Sequence, residues 1–148
     1  MSLNFQEINI NDIEFQDNKP KYKSANLVFK IPTLTLYKNP EFFKGTYIFD
    51  FILTESLYKF INFYIELENK IKHYINNNNL LWFSNIKQMD DKTTILRTKV
   101  KRNIVFIQNN KKIKSFKKDE QLSLTIEISK IWNFQGKTGT SIYLREIF

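Results

Sequence analysis

QLSLTIEISKIWNFQGKTGTSIYLREI (121–147) alternates, turns and alternates again. Leu122, Leu124, Ile126 and Ile128 fall on one side of an extended chain. Ser123, Thr125, Glu127 and Ser129 fall on the other, as a strand with one buried face requires. After the loop NFQGKTG (133–139), Ile142 and Leu144 stand opposite Tyr143 and Arg145 in a second strand. Gly136 and Gly139, two of the chain's three glycines, are expected to supply the positive φ of the hairpin between them. The place of Trp132 stays open: strict alternation sends it to the core with Ile128, and a bulge would turn it outward.

Upstream the β pattern continues. TTILRTKVKRNIVFIQ (93–108) reads as one long bent strand or two short ones, NNKK (109–112) as a turn and IKSF (113–116) as a short return strand. ANLVFKIPTLTLYKN (25–39) is a strand in which Pro32 forces a break, an edge or a bulge. PEFFKG (40–45) is a turn, and TYIFDFIL (46–53) a strand with Tyr47, Phe49, Phe51 and Leu53 on one face. Between these strands the period changes. In 54–75, Leu57, Phe60, Ile61, Tyr64, Ile71 and Ile75 share one helical face, with Thr54 or Ser56 as the cap and the Asn run 76–79 as the stop. With one helix there can be no series of βαβ units. The order predicts a mainly β fold with one long α-helix, an OB-like, partly open antiparallel barrel. A mixed α+β sheet with a packed helix is the alternative.

Residues 1–18 hold Glu7, Asp12, Glu14 and Asp17 and no Lys or Arg; KPKYKS (19–24) follows. The apolar residues of this stretch are loosely spaced. Residues 1–24 are therefore expected to form an acidic, then basic arm that is mobile or peripheral, and 25–148 the domain proper. With 148 residues and no cysteine, the chain needs neither disulfides nor a thiolate metal site. No signal peptide and no apolar run of spanning length is found, so a soluble cytoplasmic protein without a membrane partner is expected.

The chemistry of catalysis is sparse. The single histidine, His73, lies between Lys72 and Tyr74 on the helix with no base or nucleophile beside it. The glycines form no phosphate loop. Asp90–Asp91 reads as a turn rather than a metal site. No enzyme, cofactor or metal is expected.

The chemistry of polyanion binding is abundant. The formal net charge is +8 and aromatics make up 16% of residues. Composition alone carries little weight, because the abundance of Lys, Asn, Ile and Phe also follows from AT-rich codons. Placement says more. Residues 99–118 hold eight Lys or Arg and no acid. Arg97, Lys99 and Lys101 share one side of a strand, at roughly 6.5–7 Å intervals, while Leu96, Thr98 and Val100 take the other. Arg102 follows them, and Lys30 lies on the Pro32 strand. Phe49, Phe51, Phe60 and Tyr64 read as core. Tyr37, Phe43 and Phe134 flank turns, as does Phe42, and with Trp132, Lys137 and Tyr143 they are candidates for stacking on bases or pairing with phosphates.

LVFKIPTLTLYKN, YIFDFIL, YKFINFYIELENKI, RTKVKR and the closing run with Ile131, Trp132, Gly136, Lys137 and Gly139 resemble the single-stranded DNA-binding proteins of large cytoplasmic DNA viruses and of virus-like linear cytoplasmic plasmids of yeasts. The resemblance spans roughly residues 25–148. It implies an OB-type fold, no catalysis, and coating of exposed strands during replication, with polymerase or helicase as further partners and self-association compatible with the role. Such proteins often end in an acidic tail that recruits partners. Here LREIF follows directly on a strand and the acidic segment is N-terminal, a departure from that pattern that leaves the route of recruitment open. The function expected is non-enzymatic single-stranded DNA binding. An RNA-binding OB-type module and a basic protein-interaction module are the alternatives, with a metal-dependent nuclease more distant.

Overall fold

The computed structural model describes residues 3–101 and 115–148. The expected turn at 109–112 lies outside the described residues, as do 102–108 of the expected strand, Arg102 among them, and the first half of the return strand 113–116; Ser115 and Phe116, which are described, are not in a strand. Short strands β1 (Leu3–Asn4), β2 (Ile13–Gln16), β3 (Lys19–Tyr22) and β4 (Ala25–Asn26) lead into β5 (Val28–Leu36). After it come β6 (Glu41–Phe43), β7 (Thr46–Ile52), the helix α1 (Tyr58–Ile75), β8 (Leu81–Phe83), β9 (Ile86–Gln88) and β10 (Thr94–Lys101). Then follow β11 (Gln121–Ile128), β12 (Trp132–Phe134), β13 (Lys137–Gly139) and β14 (Ile142–Ile147).

Five strands form a barrel in the order β5-β11-β14-β10-β7, and β7 returns to β5 through Thr35↔Ile52 and Leu36↔Phe51. This is the OB-like architecture expected from the sequence, closed around its circumference. The joint between β10 and β14 is parallel and rests on one aligned pair, Lys99↔Tyr143. Pro32 sits in a bulge. Leu122 faces Leu34 and Leu124 faces Ile31, so β5 carries one residue more than β11 across this stretch.

The barrel is filled from alternating strand positions. Phe29, Leu36, Phe49, Phe51, Leu96, Ile126, Ile128 and Ile142 are fully buried. Helix α1 closes one end with Phe60, Tyr64, Leu67 and Ile71, a stripe of helical period. A turn of 3-10 helix (Glu55–Leu57) precedes it. The hydroxyls of Thr54 and Ser56, expected to cap the helix, instead bond each other at 2.7 Å. Asn76, in the left-handed conformation at φ 45°, ends the helix, with its N–H donating to the Lys72 carbonyl. Among the described residues no helix is long and apolar enough to cross a membrane.

The N-terminal stretch, read above as an arm, packs on the barrel. Leu3 and Asn4 run parallel to β5, opposite Phe29 and Lys30. Phe5, Ile8, Ile13 and Tyr22 belong to the buried core, Phe5 meeting the Phe60 ring edge-on at 5.4 Å. Their loose spacing comes from two turns of 3-10 helix, at Phe5–Glu7 and Ile10–Asp12, whose period is neither that of a strand nor that of an α-helix. β2, β3 and β4 then form a small sheet, and Phe15 stacks on Tyr74 of α1 at 4.0 Å.

Candidate nucleic-acid interface

β7 and β10 are antiparallel neighbours with Arg97 directly opposite Asp50. As the alternation predicts, Leu96, Thr98 and Val100 point into the barrel, and Thr98 Oγ1 donates to the Phe49 carbonyl at 2.9 Å. Arg97 and Lys99 take the outer face. Arg97 is nevertheless not a free cation. Its Nε and Nη2 donate to Oδ1 and Oδ2 of Asp50, each at 2.9 Å, and Asp50 is fully buried. The hydrogen bonds to that carboxylate hold the guanidinium pKa up. Lys38 Nζ lies 3.8 Å from the same carboxylate. Arg97 is thus first a counterion to Asp50, a role hidden in the sequence because its partner is on another strand.

Above this pair lies an open cleft of about 380 Å³, bordered by the cations Lys44, Lys87, Arg97 and Lys99 and the rings Phe43, Phe83, Trp132 and Tyr143. No carboxylate lines it among the described residues. Burial, then the charge of Arg97, pushes the Lys99 ammonium below the usual lysine range; Lys87 is lowered by the same two causes in the same order. Like charges gathered in a half-buried site without acids are poised to accept an anion.

Two hairpins form the rim. Between β6 and β7, Lys44 and Gly45 have φ of 49° and 84°, as a two-residue type I′ turn requires. Phe43, 56% exposed, stands beside that turn with the Lys44 ammonium 5.3 Å from its ring centre. Between β12 and β13, Gln135 and Gly136 (φ 49° and 78°) make the second turn. Gly139, expected to supply a positive φ, does not have one. It is a point of close approach: a Cβ there would lie 2.8 Å from the Phe83 carbonyl oxygen and 3.0 Å from the Trp132 indole. Trp132 escapes the alternation of β11 because that strand ends at Ile128 and the chain restarts in β12, part of a separate three-stranded sheet with β13 and β8. The indole is half-buried and lies edge-on to Phe83 at 6.3 Å. The Lys137 ammonium sits 4.8 Å from the Phe83 ring centre.

A polar layer fixes the cleft floor to the helix. Asn85 Nδ2 donates to the Tyr64 hydroxyl (2.8 Å) and the Thr140 carbonyl (2.9 Å). Glu68 of α1 accepts from Ser84 Oγ (2.7 Å) and the Asn85 N–H (3.3 Å). Burial raises the Glu68 carboxyl above its ordinary range and raises the Tyr64 phenol strongly. The Arg97 N–H donates to the Asn85 carbonyl at 2.8 Å, tying the layer to β10.

Of the residues singled out from the sequence, Phe43, Arg97, Lys99, Trp132 and Tyr143 come together around the cleft, and Lys137 adjoins it through Phe83. Phe134 is 65% exposed on the neighbouring hairpin. Lys101 ends β10, its side chain outside the description. Two candidates lie elsewhere. Tyr37 donates its hydroxyl to Asp91 at 3.0 Å, and Lys30 places its ammonium 5.4 Å from the Phe148 ring centre. Lys44, Phe83, Lys87 and Asn85 were missed. Lys44 was legible in FFKG, where a cation follows two rings into a turn. Phe83 and Lys87 carry no periodicity that marks them.

The fold is similar to that of gp2.5, a single-stranded DNA-binding protein encoded by bacteriophage T7, with a TM-score of 0.56 and 12% identity over 83% of this chain and 85% of that one. A C-terminally truncated single-stranded DNA-binding protein from bacteriophage Enc34 aligns with a TM-score of 0.49 and 12% identity over 93% and 92% of the two chains. No protein-family model matches the chain, and no curated protein does.

Proposed function

We propose that this chain is a non-enzymatic single-stranded DNA-binding protein that coats exposed strands during replication, in the manner implied by its resemblance to the proteins of large cytoplasmic DNA viruses and virus-like plasmids. The observation that carries the reading is the joint placement of unneutralised lysines and half-exposed rings in one cleft. That cleft lies over the second and third barrel strands, between two hairpins, where OB-type folds receive oligonucleotides. Lys44, Lys87 and Lys99 would meet phosphates. Phe43, Phe83, Trp132 and Tyr143 would stack on unpaired bases, each stack contributing about 1–3 kcal/mol. The likeness to the phage T7 protein supports the reading at the level of fold.

Fluorescence anisotropy with matched single-stranded DNA, duplex DNA and RNA tests it. The expected result is a preference of about tenfold or more for single-stranded over duplex DNA in about 0.1 M salt, since rings reach only unpaired bases while cations bind either form. Equal affinity for both would remove the stacking premise. A preference for RNA of the same sequence would select the RNA-binding alternative, and no binding at low salt the protein-interaction one.

A further inference from the structure

β8 pairs in parallel with β13, Leu81 opposite Lys137, Trp82 opposite Thr138 and Phe83 opposite Gly139. β13 pairs in turn with β12, Trp132 opposite Gly139 and Phe134 opposite Lys137. Side chains two apart share a face. One face of this small sheet therefore carries Leu81, Phe83, Lys137, Trp132 and Phe134 around the side-chain-free Gly139. The other face carries Thr138, buried, and Trp82, packed against the core. Leu81 is 61% exposed, Phe134 65% and Phe83 37%.

We infer that this face is a second stacking platform, on which single-stranded DNA lies as it leaves the barrel cleft; the inference rests on the DNA-binding reading above. Continuity argues for that occupant, because Phe83 and Trp132 border the cleft and also belong to the platform. Charge argues the same way. The ammonium groups of Lys137 and Lys87 lie 4.8 and 5.5 Å from the Phe83 ring centre, where a phosphate between two stacked bases would find them. The cleft of about 380 Å³ is also small beside the roughly four or more nucleotides that an OB-type fold engages. The platform gives the strand somewhere to continue.

The test uses the double variant Leu81→Ser/Phe134→Ser, Lys99→Gln and the wild-type chain, titrated with a short oligothymidylate of about four nucleotides and a longer one of about twelve, lengths within the range of OB-type sites. Both double-variant positions are exposed, and an unchanged thermal midpoint confirms an intact fold. The expected result is that the double variant binds the longer oligonucleotide about tenfold or more weakly and the short one as wild type does, tenfold being the loss of about 1.4 kcal/mol of stacking. Lys99→Gln should weaken both. An equal loss on both lengths in the double variant would place Leu81 and Phe134 in the cleft itself and overturn the platform. No loss on either length, with Lys99→Gln still impaired, would overturn it too and leave the face to a protein partner. If wild type binds neither oligonucleotide, the DNA-binding reading and the platform fall together.

Discussion

At the residue scale, Arg97 and Lys99, two basic side chains on the outer face of β10, have opposite roles. Arg97 satisfies a buried carboxylate through two charge-assisted hydrogen bonds. Arg97→Gln would leave the buried Asp50 charge with only Lys38, at 3.8 Å, as a counterion and is expected to cost about 3 kcal/mol of stability, the lower end for breaking a buried pair. Urea denaturation measures it, and a loss within error of zero would make the pair an ordinary surface bridge. Lys99 has no such partner among the described residues, and burial disfavours its charge. In the free protein that charge is a burden, so Lys99→Gln should raise the thermal midpoint while weakening DNA binding. The pH dependence follows from the same cause. A bound phosphate restores the ammonium pKa, so binding takes up a proton when pH lies between the depressed value and the bound one. Affinity should fall as pH rises toward the ordinary lysine value of 10.5, and Lys99→Arg, which stays charged, should lessen that fall. A pH-independent affinity in the wild type would show that Lys99 meets no phosphate. The alternation RTK announced which face these residues share. It did not announce that one of them was already engaged, because Asp50 is distant in sequence.

At the element scale, α1 positions the cleft through Glu68. Its carboxylate holds Ser84 and the Asn85 backbone, and Asn85 in turn holds Tyr64 and Thr140. Burial raises the Glu68 pKa in the folded chain above its unfolded value. The sign follows: the folded state binds the proton more tightly, so the contribution to stability is greatest below the unfolded pKa and is lost as pH rises through the folded one. Glu68→Gln, which keeps an acceptor but not the charge, should remove that decline; an unchanged pH–stability curve would show the carboxylate to be as well solvated folded as unfolded. The clear periods of α1 and β11 were legible because each turns one apolar face to the core, although Thr125 and Glu127 on the other face of β11 are buried as well. β8 was not, since three consecutive apolar residues fit any element and its partner strand lies far along the chain. Gly139 was legible as a special position, but the reason, room for an indole and a carbonyl, exists only once β8, β12 and β13 are together.

At the scale of the whole molecule, the N-terminal stretch and the cleft are the features to separate. Phe5→Ala should cost about 3–5 kcal/mol, as for other buried phenylalanines. A change within error of zero would return the stretch to the status of an arm. Net charge and placed charge can be distinguished by salt. Lys87→Gln/Lys99→Gln should flatten the slope of log affinity against log salt by about 1.4, at roughly 0.7 per phosphate contact on a single strand. Lys117→Gln/Lys118→Gln removes the same formal charge from two exposed lysines and should change the slope far less. Equal changes would mean that only the total charge matters.

The position of β14 has a consequence for synthesis. It comes after every other barrel strand in the chain, yet in space it lies between β11 and β10. Until translation passes Ile147 and that segment clears the ribosome, the wall stands open by one strand. β10 and β11 then present unpaired edges, and Leu124, Ile126 and Ile128 lack their partners on β14. The nascent chain is therefore vulnerable to edge-to-edge association until β14 has emerged, and a ribosome stalled before residue 142 would hold out two edges for a chaperone or a second nascent chain to cover.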